Sequence, residues 1–198
     1  MPLVRRSIWA ASALTMAMGL LVTLLLASPG AQGMVLAVFA PIVAAIGVAF
    51  VYGPEHDPAL EIALATPTSP RLVLLSRLTI IYSYDLALAL LASVVLSAAR
   101  GGMEVWPLVE LWIGPMLFLS ALALLLALLF GTTPATLTTL SLWGLRLVAA
   151  THAPQSLGAP DGLELLDAFW RADLALVPLA ALLLIIALVY TPRRVGQR

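Results

Sequence analysis

Between Ile8 and Ala27 the chain runs for twenty residues without a charge. At 1.5 Å per residue a helix of that length crosses a hydrocarbon core of about 30 Å. The pattern recurs along the sequence. Apolar runs follow at Met34–Tyr52, from Pro70 to Ala98, and at Trp106–Phe130, Ala135–Ala150 and Asp173–Tyr190. The expected fold is therefore all-α: a polytopic integral membrane protein with six transmembrane helices in a single domain over residues 1–198. The spans are expected at about 8–27, 34–52, 72–98, 106–130, 135–150 and 173–190. A signal peptide is the competing reading of the first run, with Arg5-Arg6 before it and Ala27-Ser28-Pro29 after it. Its apolar core should measure about 7–15 residues, so this run is too long.

Composition agrees. Of 198 residues, 62% are apolar and 10% charged, against roughly 25% charged in soluble domains. Mean hydropathy is +1.07. Without cysteine there is no disulfide framework and no thiolate metal site. A net charge of zero argues against nucleic acid as a partner. All ten basic residues are arginine, so the lysine of a Walker A phosphate loop is missing. The chain is expected not to be an enzyme by itself. If it drives transport with ATP, the ATPase is a separate chain.

An even number of spans puts both termini on one side. That side collects Arg5, Arg6, Arg71, Arg77, Arg193, Arg194 and Arg198, against Arg100 and Arg171 opposite. This asymmetry leads to both termini being expected in the cytoplasm. Arg71 and Arg77 are expected to snorkel to head groups from a protruding third helix. Trp106 and Trp112 are read as interfacial anchors.

The one long insertion on that side lies between the second and third runs. Asp57 suits an N-cap and Pro58 the first helical position. A short helix is expected at about 58–66, with Leu60, Ala63 and Leu64 on one face and Glu61 to its side. Thr66 precedes Pro67, which ends the helix. Ser69-Pro70 then repeats the cap-plus-proline signal. On the opposite side, Asp161 and Glu164 resemble a capping box, and Leu163, Leu166, Phe169 and Trp170 form an apolar side. A short outer interfacial helix is expected there, before the sixth span.

The stretch Glu61-Ile62-Ala63-Leu64-Ala65-Thr66-Pro67-Thr68-Ser69-Pro70-Arg71, with Arg77 beyond it, resembles the segment after the second span in permease subunits of the type-2 ABC exporter family. There a Glu-containing helix, a proline break and a basic residue open the third span. The resemblance implies that the 58–66 helix couples to an ATPase subunit through Asp57, Leu60, Glu61, Leu64 and Pro67. It also implies a second permease subunit, the same or related, with ATP and Mg held by the ATPase and no cofactor on this chain. The very short stretch before the first run departs from the family pattern. Within the resemblance, the haem-exporter membrane subunit of cytochrome c maturation is the nearest alternative. Outside it, a non-transport membrane anchor or assembly protein fits the same layout.

Several polar residues fall within the runs. Asp85 lies midway along the third, in Tyr82-Ser83-Tyr84-Asp85, where a carboxylate is costly and a functional candidate by default. The structural alternative is a hydrogen bond, for instance to Tyr82 one turn earlier or to a neighbouring helix. Glu110 and Arg146 are expected at similar depth on antiparallel neighbours, forming a charge pair. Thr132, Thr136, Thr139, Trp143 and Arg146 recur at spacings of 4, 3, 4 and 3 residues as one stripe. That stripe is either a close-packing interface, between subunits included, or a substrate-facing path. His56, near Glu55, Asp57 and Glu61, lacks metal-ligand spacing and is read as solvated. His152 lies in the outer loop, so no nucleophile–base pair is available at span depth.

Overall fold

The structure, a computed structural model, describes residues 6–26, 32–51, 70–99, 101–102, 104–152, 169–170 and 173–195. They form six long α-helices and, among the described residues, no strand. These are α1 (Arg6–Leu26), α2 (Gln32–Val51), α3 (Pro70–Ala99), α4 (Val105–Phe130), α5 (Thr132–His152) and α6 (Asp173–Val195). Leu75–Ala99 and Val105–Phe130 are long and apolar enough to cross a membrane. Shorter apolar stretches lie at Trp9–Leu25, Val35–Ala49 and Leu176–Tyr190.

Glycine builds two turns. Gly131 alone separates α4 from α5, at φ +94°, and donates its N–H to the Ala127 carbonyl. Gly101 and Gly102, at φ +80° and +87°, end α3, and Gly102 N–H donates to the Ser97 carbonyl. Positive φ of this kind is readily available only to glycine.

Inter-helix contacts fix the directions. Ser12 and Gly19 of α1 lie near Gly47 and Phe39 of α2, so these two helices are antiparallel. Tyr84 of α3 bonds Trp9 of α1, and Asp85 approaches Gly47. Leu36, Ala40 and Ala44 pack with Leu108, Trp112 and Met116, while Val48 packs with Leu124 and Ala187. Thus α1, α3 and α5 run one way and α2, α4 and α6 the other. Arg6, Val51, Pro70 and Val195 stand at one end of the bundle.

The core is the parallel α2–α4 pair. Its seam is rich in alanine, with Ala45 and Ala49 against Ala121, Ala123 and Ala127, which lets the backbones approach closely. Among the described residues α2 exposes no large apolar side chain. The surrounding helices do: Leu14, Met18 and Leu25 on α1, Leu91 and Val94 on α3, Leu137 and Leu145 on α5, and Leu182, Ile185 and Val189 on α6 stand exposed. Apolar surface of that extent is not what a water-facing monomer presents.

Two expectations are corrected. Arg77 does not snorkel; at 7% exposure it is turned into the bundle, on the buried face of α3 that continues through Ile81, Asp85 and Ala89. A four-residue repeat keeps those positions on one face, and that face meets α1 and α2. Trp112 is fully buried rather than interfacial. It shares its face with Leu108 and Met116, and its Nε1 donates to Ser93 Oγ at 3.2 Å. Trp106, by contrast, is 67% exposed. The helix expected at 58–66 lies outside the described residues. The outer interfacial helix does too, apart from Phe169 and Trp170.

Candidate functional site

Three helices converge on Asp85. Its side chain is 0% exposed, and neither carboxylate oxygen has a hydrogen-bond partner among the described residues. Across from it α2 presents Gly47. A Cβ at that position would stand 2.9 Å from Asp85 Oδ2, 3.6 Å from Ile81 Cγ2 and 3.9 Å from Ser12 Oγ. The carboxylate and the Ser12 hydroxyl of α1 therefore both lie within 4 Å of one point on the bare face of α2. Tyr82, one turn before Asp85, has a buried hydroxyl that also lacks a partner. No hydrogen bond joins Tyr82 to Asp85; the neighbouring-helix hydroxyl beside the carboxylate is Ser12 of α1. Both side chains lie on α3, but Asp85 is aimed at α2, while Tyr82 packs against the cluster of Leu36, Ala40 and Trp112.

Among the described residues, neither α1 beyond Arg6 nor α2 brings a counter-charge to this point. Ser7–Leu26 and Gln32–Val51 contain no ionisable residue, and Arg77 lies eight residues earlier on α3, about 12 Å along the axis. Beside this junction the α1–α3 seam is closed by a latch. Tyr84 Oη donates to the Trp9 carbonyl at 3.1 Å, and the two rings meet edge to face at 4.4 Å.

A second polar centre lies between α5 and residues 169–170. The Arg146 guanidinium stands 4.4 Å from the Trp143 ring centroid and 5.3 Å from that of Trp170. Trp143 and Trp170 meet at 5.2 Å, and Phe118 and Phe169 continue the aromatic wall. Trp143 Nε1 donates to the Val38 carbonyl at 3.1 Å, which fixes the ring against α2. An arginine stacked on aromatic faces gains cation–π attraction.

The expected Glu110–Arg146 pair is absent: among the described residues no ion pair joins the two, and Glu110 is exposed on α4. Counted from Gly131, Glu110 lies 21 residues along α4 and Arg146 15 residues along α5. The offset of six residues is about 9 Å of helix axis. The rings of Trp143 and Trp170 then offer Arg146 a nearer surface.

The threonine stripe faces α4 and α2 of its own chain. Thr139 and Trp143 are buried, Thr136 half-buried. Thr139 Oγ1 donates to the Ala135 carbonyl at 2.8 Å and Thr136 Oγ1 to the Thr133 carbonyl at 2.9 Å. These hydroxyls are thus turned back onto their own helix. Thr139 and Trp143 are packed within the chain. Asp57, Leu60, Glu61, Leu64 and Pro67 lie outside the described residues, as does His56.

Sequence reasoning found Asp85 but not Ser12, Gly47 or the Trp9–Tyr84 latch. Each is one of many serines, glycines and aromatics on apolar helices, and only the inter-helix register singles it out. No family model, curated protein or solved structure matches the chain.

Proposed function

We propose that the chain is the transmembrane permease subunit of a bacterial ABC exporter, with six spans in the cytoplasmic membrane and both termini in the cytoplasm. The observation that carries this reading is where the helices flanking residues 52–69 end and begin. That segment leaves α2 at Val51 and rejoins the bundle at Pro70, at the end that also holds Arg6 and Val195. It bears Glu61, Leu64 and Pro67, with Arg71 just beyond it, in the order that exporter permeases use to meet their ATPase. Arg6, Arg71, Arg193 and Arg194 belong to helix termini at this end, while Arg77 is turned into the bundle. The exposed apolar side chains of α1, α3, α5 and α6 suit lipid or a second permease subunit.

In this reading two permease subunits sit on two ATPase subunits. ATP binding draws the ATPases together and pushes on the 58–66 segment, and the push is relayed to α3. The α2–α4 pair, packed alanine on alanine, then moves as a rigid unit. Affinity purification of the tagged chain from mild detergent tests the proposal. An ATP-binding cassette subunit is expected to come down with it; its absence from a membrane that expresses the whole operon contradicts the reading.

A further inference from the structure

We propose that the α1–α2–α3 junction is a recognition point for an ammonium group carried on an apolar cargo. Asp85 brings a carboxylate into a fully buried position where, among the described residues, the Ser12 hydroxyl is the one polar neighbour beside it. Ser12 Oγ faces the same point from α1. The set contains oxygen only and is rich in acceptors. It lacks what an ammonium provides, a positive charge with three N–H donors. No ionisable residue of Ser7–Leu26 or Gln32–Val51 supplies that charge from within.

Uncompensated buried carboxylates are costly, and an asparagine would fill the same volume without the charge. A carboxylate kept there against that cost points to a ligand. The surroundings define the rest of the cargo. Ile81, Met16 and the bare backbone of Gly47 make the nearby walls apolar. Gly47 closes the junction in the packed state, so the ligand takes the place of the α2 backbone as α2 and α3 part. The Trp9–Tyr84 latch lies on the adjacent seam, where opening costs one hydrogen bond and one aromatic contact.

This inference rests on the exporter reading for the word cargo, yet binding is measured on the chain alone and needs no ATPase. Failure to capture an ATPase therefore leaves it standing, and failure to bind leaves the exporter reading standing. The probe is tritiated decylammonium, titrated onto the immobilised chain in a neutral maltoside detergent, with decanol as the neutral competitor. Saturable binding that decanol does not displace is expected. Asp85→Asn is expected to weaken binding at least tenfold while its melting temperature stays equal to wild type or rises, because a buried charge is removed and an amide oxygen remains to accept from the Ser12 hydroxyl. Unchanged affinity in Asp85→Asn, or displacement by decanol as efficient as by unlabelled decylammonium, overturns the proposal. If Asp85→Asn fails to fold, Ser12→Ala decides: affinity at least threefold weaker supports the site, and wild-type affinity overturns it.

Discussion

Gly19 of α1 and Phe39 of α2 are so close that a Cβ on the glycine would stand 2.6 Å from Cγ and 2.9 Å from Cβ of the phenylalanine. The Phe39 Cβ is tied to its backbone and cannot swing aside. Gly19→Ala therefore forces α1 and α2 apart. Overpacking typically costs about 1–3 kcal/mol, offset by up to about 1 kcal/mol of helix propensity. Gly144 of α5 is the control, because a Cβ there meets nothing within 4 Å. Thermal melting in detergent is expected to show Gly19→Ala below wild type and Gly144→Ala equal to it or above. The reverse order would mean that α1 and α2 do not meet at this glycine.

Arg146 lies over the rings of Trp143 and Trp170 and not against Glu110. Cation–π contacts contribute from about 0.5 to about 2 kcal/mol, so Arg146→Ala should cost an amount in that range. Glu110→Gln, at an exposed position, should stay within about 0.5 kcal/mol of wild type. In a double-mutant cycle by chemical denaturation the two effects should add, with a coupling near zero. A coupling above about 0.5 kcal/mol would restore the charge pair that sequence spacing suggests.

Trp112 and Trp143 each hold a helix seam through one indole N–H. Trp112→Phe and Trp143→Phe keep the aromatic ring and lose the bonds to Ser93 Oγ and the Val38 carbonyl. A buried hydrogen bond contributes about 0.5–1.5 kcal/mol, and each variant should melt lower by a corresponding amount. Trp106→Phe, at an exposed position, should not. Equal melting of all three variants would place the two indoles outside the core.

Much of the bundle was legible in the sequence because apolar length and turn residues are local signals. Five of the six helix starts fall within two residues of the expected positions. The fifth helix begins at Thr132, before Pro134 rather than after it, since proline is tolerated in a first turn where its N–H has no partner to lose. The sixth runs to Val195 through Pro192, where the apolar pattern had ended at Tyr190. Asp85 stood out by its charge. What it faces did not, because Ser12 and Gly47 come from helices 73 and 38 residues away in sequence. Arg77 and Trp112 were misplaced for a shared reason: residue type marks an affinity for interfaces, and the face of the helix decides whether that affinity is used. The Glu110–Arg146 pairing failed on register, which a count from Gly131 makes visible.

Topology is testable residue by residue, because the chain has no cysteine of its own. Single cysteines at Ser28, Gly102 and Ser156 should react with an impermeant thiol reagent in intact cells. Those at His56, Thr132 and Gln197 should react only after permeabilisation. Labelling at 56 or 197 in sealed cells would reverse the orientation and remove the ATPase from reach of the 52–69 segment.

The most direct test of the exporter reading is the substitution Leu64→Glu. Leu60 and Leu64 share the apolar face of the 58–66 helix expected from the sequence, and burying two leucines contributes roughly 3–6 kcal/mol, enough to govern docking. No span is touched, so expression and membrane insertion should match wild type. Co-purification of the ATPase should be lost, and with it substrate-stimulated ATP hydrolysis in proteoliposomes; Glu61→Arg should act in the same direction more mildly. An ATPase that stays bound and is stimulated normally in Leu64→Glu would contradict the assignment of this chain as an ABC permease.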